Sequence, residues 1–84
     1  MKRLDHYSIR ELSKRIYRTN IMPSANSTSF VELGELLLKR IQEGADLDKI
    51  NRIVSSELIT SYGLDVSEEM SIKISEDVYR WNNA

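Results

Sequence analysis

The residues that could carry chemistry in this chain are few. It contains one histidine, His6, no cysteine and three glycines. A serine nucleophile needs a base beside it, and His6 lies near a chain end, where such a pair is hard to hold in place. One histidine without cysteine cannot form a zinc site, and three scattered glycines do not form a phosphate-binding loop. We therefore predict no enzyme activity, no cofactor, no metal and no small-molecule substrate.

Two acidic pairs are the remaining candidates for metal binding or acid–base catalysis. They are Asp46 with Asp48, and Glu68 with Glu69. Both pairs lie where a helix is predicted to begin, and carboxylates at that position accept free backbone N–H groups and interact favourably with the helix dipole. Helix capping is therefore the favoured interpretation of both pairs.

Basic residues are concentrated at the front of the chain. Residues 1–27 carry six basic and two acidic side chains, a net charge of +4, whereas residues 28–84 carry six and eleven, a net charge of −5. A basic helix face is either solvated or in contact with the phosphates of nucleic acid. The acidic remainder of the chain disfavours DNA binding, and Tyr7 and Tyr17 are expected in the core rather than stacked on bases. The candidate nucleic-acid contacts are Arg10, Lys14, Arg15 and Arg18.

The elements that carry these residues are predicted to be four helices. The first runs from about Tyr7 to Arg18, because apolar residues recur at helical spacing and form one stripe. A linker containing Pro23 follows it. We therefore divide the single domain 1–84 into a basic N-terminal helix and linker, 1–27, and a helical core, 28–84.

The helix ends of the core are predicted from capping patterns. The second helix begins with a capping box from Ser29 to Glu32 and ends at Gly44. The third begins at Asp46 or Asp48 and ends at residues 62–64, around a second glycine. The fourth opens with another capping box over residues 65–68.

The fourth segment has an ambiguous pattern. Residues 71–75 alternate between polar and apolar side chains, as a half-buried strand would. A single strand would find no partner elsewhere in the chain, so helix is favoured, although the pattern leaves open whether all of residues 66–82 are helical.

The second helix has more apolar surface than one face can hold. In the stretch ELGELLLKRIQEG, residues 32–44, the apolar arc covers roughly 220°, about twice the ~100° that a surface helix needs. A chain this short usually relies on disulfides, a metal or a partner subunit, and the absence of cysteine and the single histidine exclude the first two. Among partner subunits, a symmetric homodimer is the commonest solution. We predict a small all-α bundle of three to four helices, completed by homodimerisation. The predicted interface residues are Leu33, Leu36, Leu37, Leu38, Ile41 and Ile53.

Location follows from what the sequence lacks. It has no run of 18 apolar residues and no apolar region of a secretory signal near its start. Absence of cysteine suits a reducing compartment. We predict a cytoplasmic protein with no membrane contact.

The core sequence resembles a known family. The segments LGELLLKRIQEG, DKINRIVSSELI and VYRW, within residues 30–81, resemble the AriR (YmgB-like) family of small biofilm-development and acid-resistance regulators of enteric bacteria. The resemblance implies a cytosolic all-helical dimer. It also implies a role in biofilm formation and acid resistance, through DNA binding or as a connector to a two-component phosphorelay.

Three functional hypotheses follow. The first is a regulatory protein that contacts a host protein, such as a response regulator or sensor kinase, in a stress-response circuit. The second is a weak, sequence-tolerant DNA-binding modulator of transcription that uses the basic first helix. The third is a plasmid- or phage-borne inhibitor or immunity protein that blocks one host protein.

Overall fold

A computed structural model describes residues 3–19, 25–26 and 28–83. The described chain forms four helices and, over these ranges, contains no strand. The all-α prediction is confirmed, and the alternating segment 71–75 lies inside the last helix. The helices are α1 (His6–Tyr17), α2 (Val31–Gln42), α3 (Leu47–Thr60) and α4 (Glu68–Asn82).

The four helices pack in a ring. α1 packs on α2, α2 on α3 and α3 on α4, while α4 meets α1 less closely. The apolar stripe of each helix faces the interior, where burying it provides the main favourable contribution to folding. The core side chains are Leu12, Ile16, Phe30, Leu33, Leu37, Leu38, Ile41, Ile50, Val54, Leu58, Ile74, Val78 and Trp81.

Three helices begin at a capping side chain. The N–H of Ser8 donates to Asp5 Oδ1 at 2.8 Å, and this backbone hydrogen bond lowers the pKa of the Asp5 carboxyl. Of the two candidates for the start of α3, Asp46 is the cap and accepts from the backbone N–H of residue 49 at 2.9 Å. The capping box predicted at residues 65–68 would make Asp65 the cap of α4. That residue is wrong, because the N-cap is Ser67, whose hydroxyl accepts the N–H of Met70.

The capping box predicted for α2 is wrong. Its N-cap position is Phe30, and no side chain caps it. The Ser29 hydroxyl instead accepts the backbone N–H of Asn26 at 3.0 Å. Asn26 Oδ1 in turn accepts the N–H of Thr28 at 2.9 Å. Such local side-chain-to-backbone turns compete with helix capping, and here the Ser29 hydroxyl forms its hydrogen bond in the turn and not in a cap.

The two predicted glycine ends are confirmed. Gly44 has a φ of 98°, and the N–H of Ala45 donates to the carbonyl of Arg40 at 3.0 Å, as in a Schellman ending. Gly63 has a φ of 65°, and the N–H of Leu64 after it donates to the carbonyl oxygen of Leu58 at 2.9 Å. Both glycines adopt the left-handed conformation that other residues avoid.

A third glycine sets the distance between α1 and α2. A Cβ atom added at Gly34 would lie 3.2 Å from the carbonyl oxygen of Ile9 and 3.7 Å from Leu12 Cβ. Gly34 is buried in the middle of α2, so the missing side chain lets the two helix backbones approach closely. Its place in the sequence alone does not indicate this role.

Candidate functional site

The wide apolar arc of α2 is covered largely by the chain itself. Its two neighbours in the ring, α1 and α3, pack on it from two sides. Four of the six predicted interface residues are therefore buried in a single chain, and a partner could not reach them without opening the bundle. These four are Leu33, Leu37, Leu38 and Ile41.

The other two predicted interface residues remain accessible. Leu36 and Ile53 are half-buried, and they lie at the same level of the α2/α3 pair. Leu36 is six residues before the end of α2, and Ile53 is six residues after the start of α3. We call this pair the α2/α3 seam.

Helical register places the seam on the outside of the bundle. Gly34 faces α1, and Asn51 faces α4, where its Oδ1 accepts the Ser71 hydroxyl at 2.7 Å. Each seam residue follows one of these by two positions, a rotation of about 200° at 3.6 residues per turn. The seam therefore lies on the flank of α2 and α3 that faces away from α1 and α4.

Further apolar side chains lie on the surface of α3 and α4. Ile59 is 50% exposed and Ile72 is 39% exposed, while Tyr79 is half-buried. Single exposed apolar residues are ordinary. Together with the seam, however, they leave apolar contact points on several faces of a small protein.

The basic stripe of α1 is only partly as predicted. Arg10, Lys14 and Arg18 are exposed, and none of them forms an ion pair with any described residue. Tyr7 is 78% exposed and Tyr17 is 40% exposed, so their prediction as core residues is wrong. The cause is that α1 is buried through Leu12, Ser13 and Ile16, which leaves the tyrosine face uncovered.

Arg15 does not belong to this exposed stripe. Its Nη2 donates to Asp77 Oδ1 at 2.9 Å and its Nε donates to Asp77 Oδ2 at 3.2 Å. One turn further along α4, Trp81 Nε1 donates to Glu11 Oε1 at 3.2 Å. These two contacts join the antiparallel helices α1 and α4, so Arg15 has a structural role that helix periodicity alone could not reveal.

Both acidic pairs lie at the N-terminal end of a helix, but only one of them contains a capping residue. Asp46 caps α3, and Asp48 pairs with Arg52 at 2.9 Å. Glu68 and Glu69 lie in the first turn of α4, where negative charge is favourable. Within the described ranges, no group of three or more histidine or acidic side chains has the arrangement of a metal site.

A groove on the surface of the bundle could not be predicted from the sequence. A groove of about 620 Å³ opens between the end of α1 and the outer side of α4. The sequence contains all its cations, but it could not show that they share one site, because they come from opposite ends of the chain. The lining residues are Arg15, Arg18, Thr19, Met70, Lys73, Glu76, Asp77 and Arg80.

Over the residues that the structure describes, the fold and surfaces therefore define a small bundle of four helices with an apolar seam, a basic first helix and a cationic groove. No protein-family model, curated protein or solved structure matches the chain. The resemblance to the AriR family accordingly stays a prediction. Of the helices in the described part of the chain, none has the length and apolar character needed to cross a membrane.

Proposed function

We propose that the chain is a small cytoplasmic regulatory protein that acts through protein–protein contact, as a connector to a two-component signalling system. The observation that supports contact as its mode of action is the α2/α3 seam, where two half-buried apolar side chains lie at one level of the helix pair. Ile53 also packs against the core, so its exposed part continues the core surface outward. The link to biofilm formation and acid resistance rests on the sequence resemblance alone.

The seam is also the proposed interface of a homodimer. An isologous contact places the same surface of each copy against the other, so Leu36 and Ile53 of one protomer would be covered by those of its partner. Arg40, in the last turn of α2, pairs at 2.8 Å with Glu43, the residue that follows the end of the helix. Such a partly exposed pair contributes little energy and suits the rim of an interface.

Changing Leu36 to aspartate is expected to give a folded monomer. The charge would lie in the interface and lose its hydration there without a partner, whereas the bundle core would be untouched. Sedimentation velocity measures the oligomeric state and circular dichroism measures the helix content. Lys39→Asp is the matched control, because Lys39 is an exposed residue of the same helix and its change should leave the dimer intact. A monomeric unmodified protein, or a Leu36→Asp dimer, would contradict this interface.

The partner itself is identified by affinity capture with the immobilised chain. Because the dimer would cover the seam, the partner is expected to contact exposed apolar residues outside it, such as Ile59 and Ile72. Recovery of a response regulator or sensor kinase that is lost with Ile59→Asp or Ile72→Asp would support the connector. Recovery of a replication or transcription enzyme would instead support the inhibitor or immunity protein.

DNA binding is the second candidate, because one observation favours it. Tyr7 and Tyr17 are exposed on the α1 face that also carries Arg10, Lys14 and Arg18. Cations that neutralise phosphates, with aromatic rings between them, form a surface that tolerates many nucleic-acid sequences.

The double variant Arg10→Glu with Lys14→Glu is expected to lose DNA binding if α1 contacts DNA. Each lost phosphate contact makes the negative slope of log affinity against log salt shallower by about 0.9. The loss of affinity relative to the unmodified protein should therefore be largest at low salt. Fluorescence anisotropy of a short labelled duplex measures this effect. Lys39→Glu with Lys49→Glu is the charge-matched control, since both residues are exposed outside α1. Equal loss in both double variants would mean that only net charge matters, and DNA retention unchanged by the α1 variant would exclude this surface.

A further inference from the structure

Side-chain contacts between α1 and α4 fix the position of the groove between these two helices. Two contacts hold its walls together: the ion pair between Arg15 and Asp77 and the hydrogen bond from Trp81 to Glu11. Because α1 and α4 are antiparallel, Glu11 lies beside Trp81 and Arg15 lies beside Asp77. The same register places the residues that follow the end of α1 beside the part of α4 around residue 73. The groove extends beside the ion pair, over about 15 Å of α4 from Met70 to Arg80 at 1.5 Å per residue. Its volume, about 620 Å³, is in the range of small-ligand sites.

The charges that line the groove do not cancel. Its cations are Arg15, Arg18, Lys73 and Arg80, and its acids are Glu76 and Asp77. Because Arg15 and Asp77 neutralise one another, three cations face a single acid and leave a net charge of +2. None of those three cations forms an ion pair anywhere in the described part of the chain. The excess positive charge is therefore available to an anion.

The residue types indicate the chemistry of that anion. Arginine presents a fixed fork of donors that matches a phosphate in two-point contact, and lysine adds a compact charge. Lys73 and Arg80 are two helical turns apart, about 10 Å along the axis, and Arg18 reaches the groove from the opposite helix. Cations spread in this way suit a chain of phosphates better than one carboxylate. Met70, which is half-buried, and the aliphatic stems of the basic side chains provide an apolar surface for the rest of a ligand.

We propose that the α1/α4 groove binds a small ligand carrying two or more linked phosphates, such as inorganic pyrophosphate or a nucleoside triphosphate. Arg18, Lys73 and Arg80 contact the phosphates, and the Arg15–Asp77 pair fixes the wall between them. The site is distinct from the α2/α3 seam, so it goes beyond the proposed function. It provides a place where a metabolite could act on a protein that works through contacts.

The test is calorimetric titration of the full chain with pyrophosphate, ATP and citrate at physiological salt. The expected result is one-to-one binding of pyrophosphate and ATP with a Kd below about 1 mM, and clearly weaker binding of citrate. Backbone amide NMR shifts should change around residues 18, 73 and 80 and not around the seam. Equal binding of citrate, or no saturable binding of either phosphate compound, would overturn the proposal.

Paired variants separate the groove from the basic face of α1. Arg18→Gln and Lys73→Gln should each weaken pyrophosphate binding roughly tenfold, the effect of losing one charge-assisted contact. Arg10→Gln removes the same charge from the same helix as Arg18→Gln, but outside the groove, and should leave the affinity unchanged. If Arg10→Gln weakened binding as much as Arg18→Gln, the attraction would be a general effect of positive charge and the proposal would fail.

A gain of affinity provides the sharpest check, because misfolding cannot produce one. Glu76 is exposed and is the one acid of the groove outside the ion pair. Glu76→Gln should tighten pyrophosphate binding roughly threefold to tenfold by removing a repulsion across several ångströms. Unchanged or weaker binding would contradict the site. If the groove held a short DNA duplex or anionic lipid vesicles while pyrophosphate and ATP failed to bind, a macromolecular phosphate would be its ligand and the proposal would be wrong.

Discussion

Replacing Gly34 with leucine is expected to lower the free energy of unfolding by about 3 kcal/mol, the upper part of the range for overpacked sites. Even a single Cβ at this position would lie 3.2 Å from the carbonyl oxygen of Ile9, and the obstacle is helix backbone, which cannot rotate away. Leucine would therefore push α1 off α2. A domain of this size has only about 4–13 kcal/mol of stability, so the change removes a large share. Urea unfolding followed by circular dichroism measures it.

Two variants make this result interpretable. Gly34→Ala adds only the Cβ, and its contact with Ile9 opposes a gain in helix propensity of about 1 kcal/mol; its net effect should be small. Glu35→Leu adds the same leucine at the next, exposed position of α2 and should change stability by less than about 0.5 kcal/mol. If Gly34→Leu were as stable as Glu35→Leu, the close approach of α1 and α2 would be contradicted.

Helix ends could be predicted from the sequence where the residue at the end determines the backbone conformation by itself. The glycines at 44 and 63 end their helices as expected, because a left-handed residue past a helix end needs no tertiary information. The predicted capping box at the start of α2 is wrong because two different local hydrogen bonds compete for the hydroxyl of Ser29. Ser29 fits the sequence pattern of a capping box and also that of a turn with Asn26, and sequence spacing does not show which hydrogen bond forms.

The candidate surfaces were harder to predict because they depend on which helices are neighbours. A wide apolar arc on α2 is equally consistent with a partner subunit and with cover from α1 and α3. Tyr7 lies beside the apolar stripe of α1, yet it is 78% exposed, and none of the other three described helices covers it. The groove combines Arg18 with Lys73, which are distant in sequence, and only the return of α4 to α1 brings them together.

Replacing Leu37 with aspartate is expected to abolish folding. Leu37 is 0% exposed within a single chain, and an ionised carboxylate there would lose its hydration without gaining a partner. The variant would also lose the several kcal/mol that removing a buried leucine costs. Together these costs match or exceed the stability of a domain this small. Circular dichroism at neutral pH should therefore show the loss of helix, and sedimentation should show an expanded or aggregated chain.

Comparison with the neighbouring position separates the two roles that the leucines of α2 can have. Leu36→Asp carries the same change one residue earlier, at the half-buried seam, and should remain helical while losing self-association. A Leu37→Asp protein that stayed soluble and fully helical would contradict the burial of this residue by its own chain. If both variants unfolded, Leu36 would belong to the core rather than to the seam. The expected contrast, one unfolded and one a folded monomer, would mean that most of the apolar arc stabilises the fold and its outer flank is left for a partner.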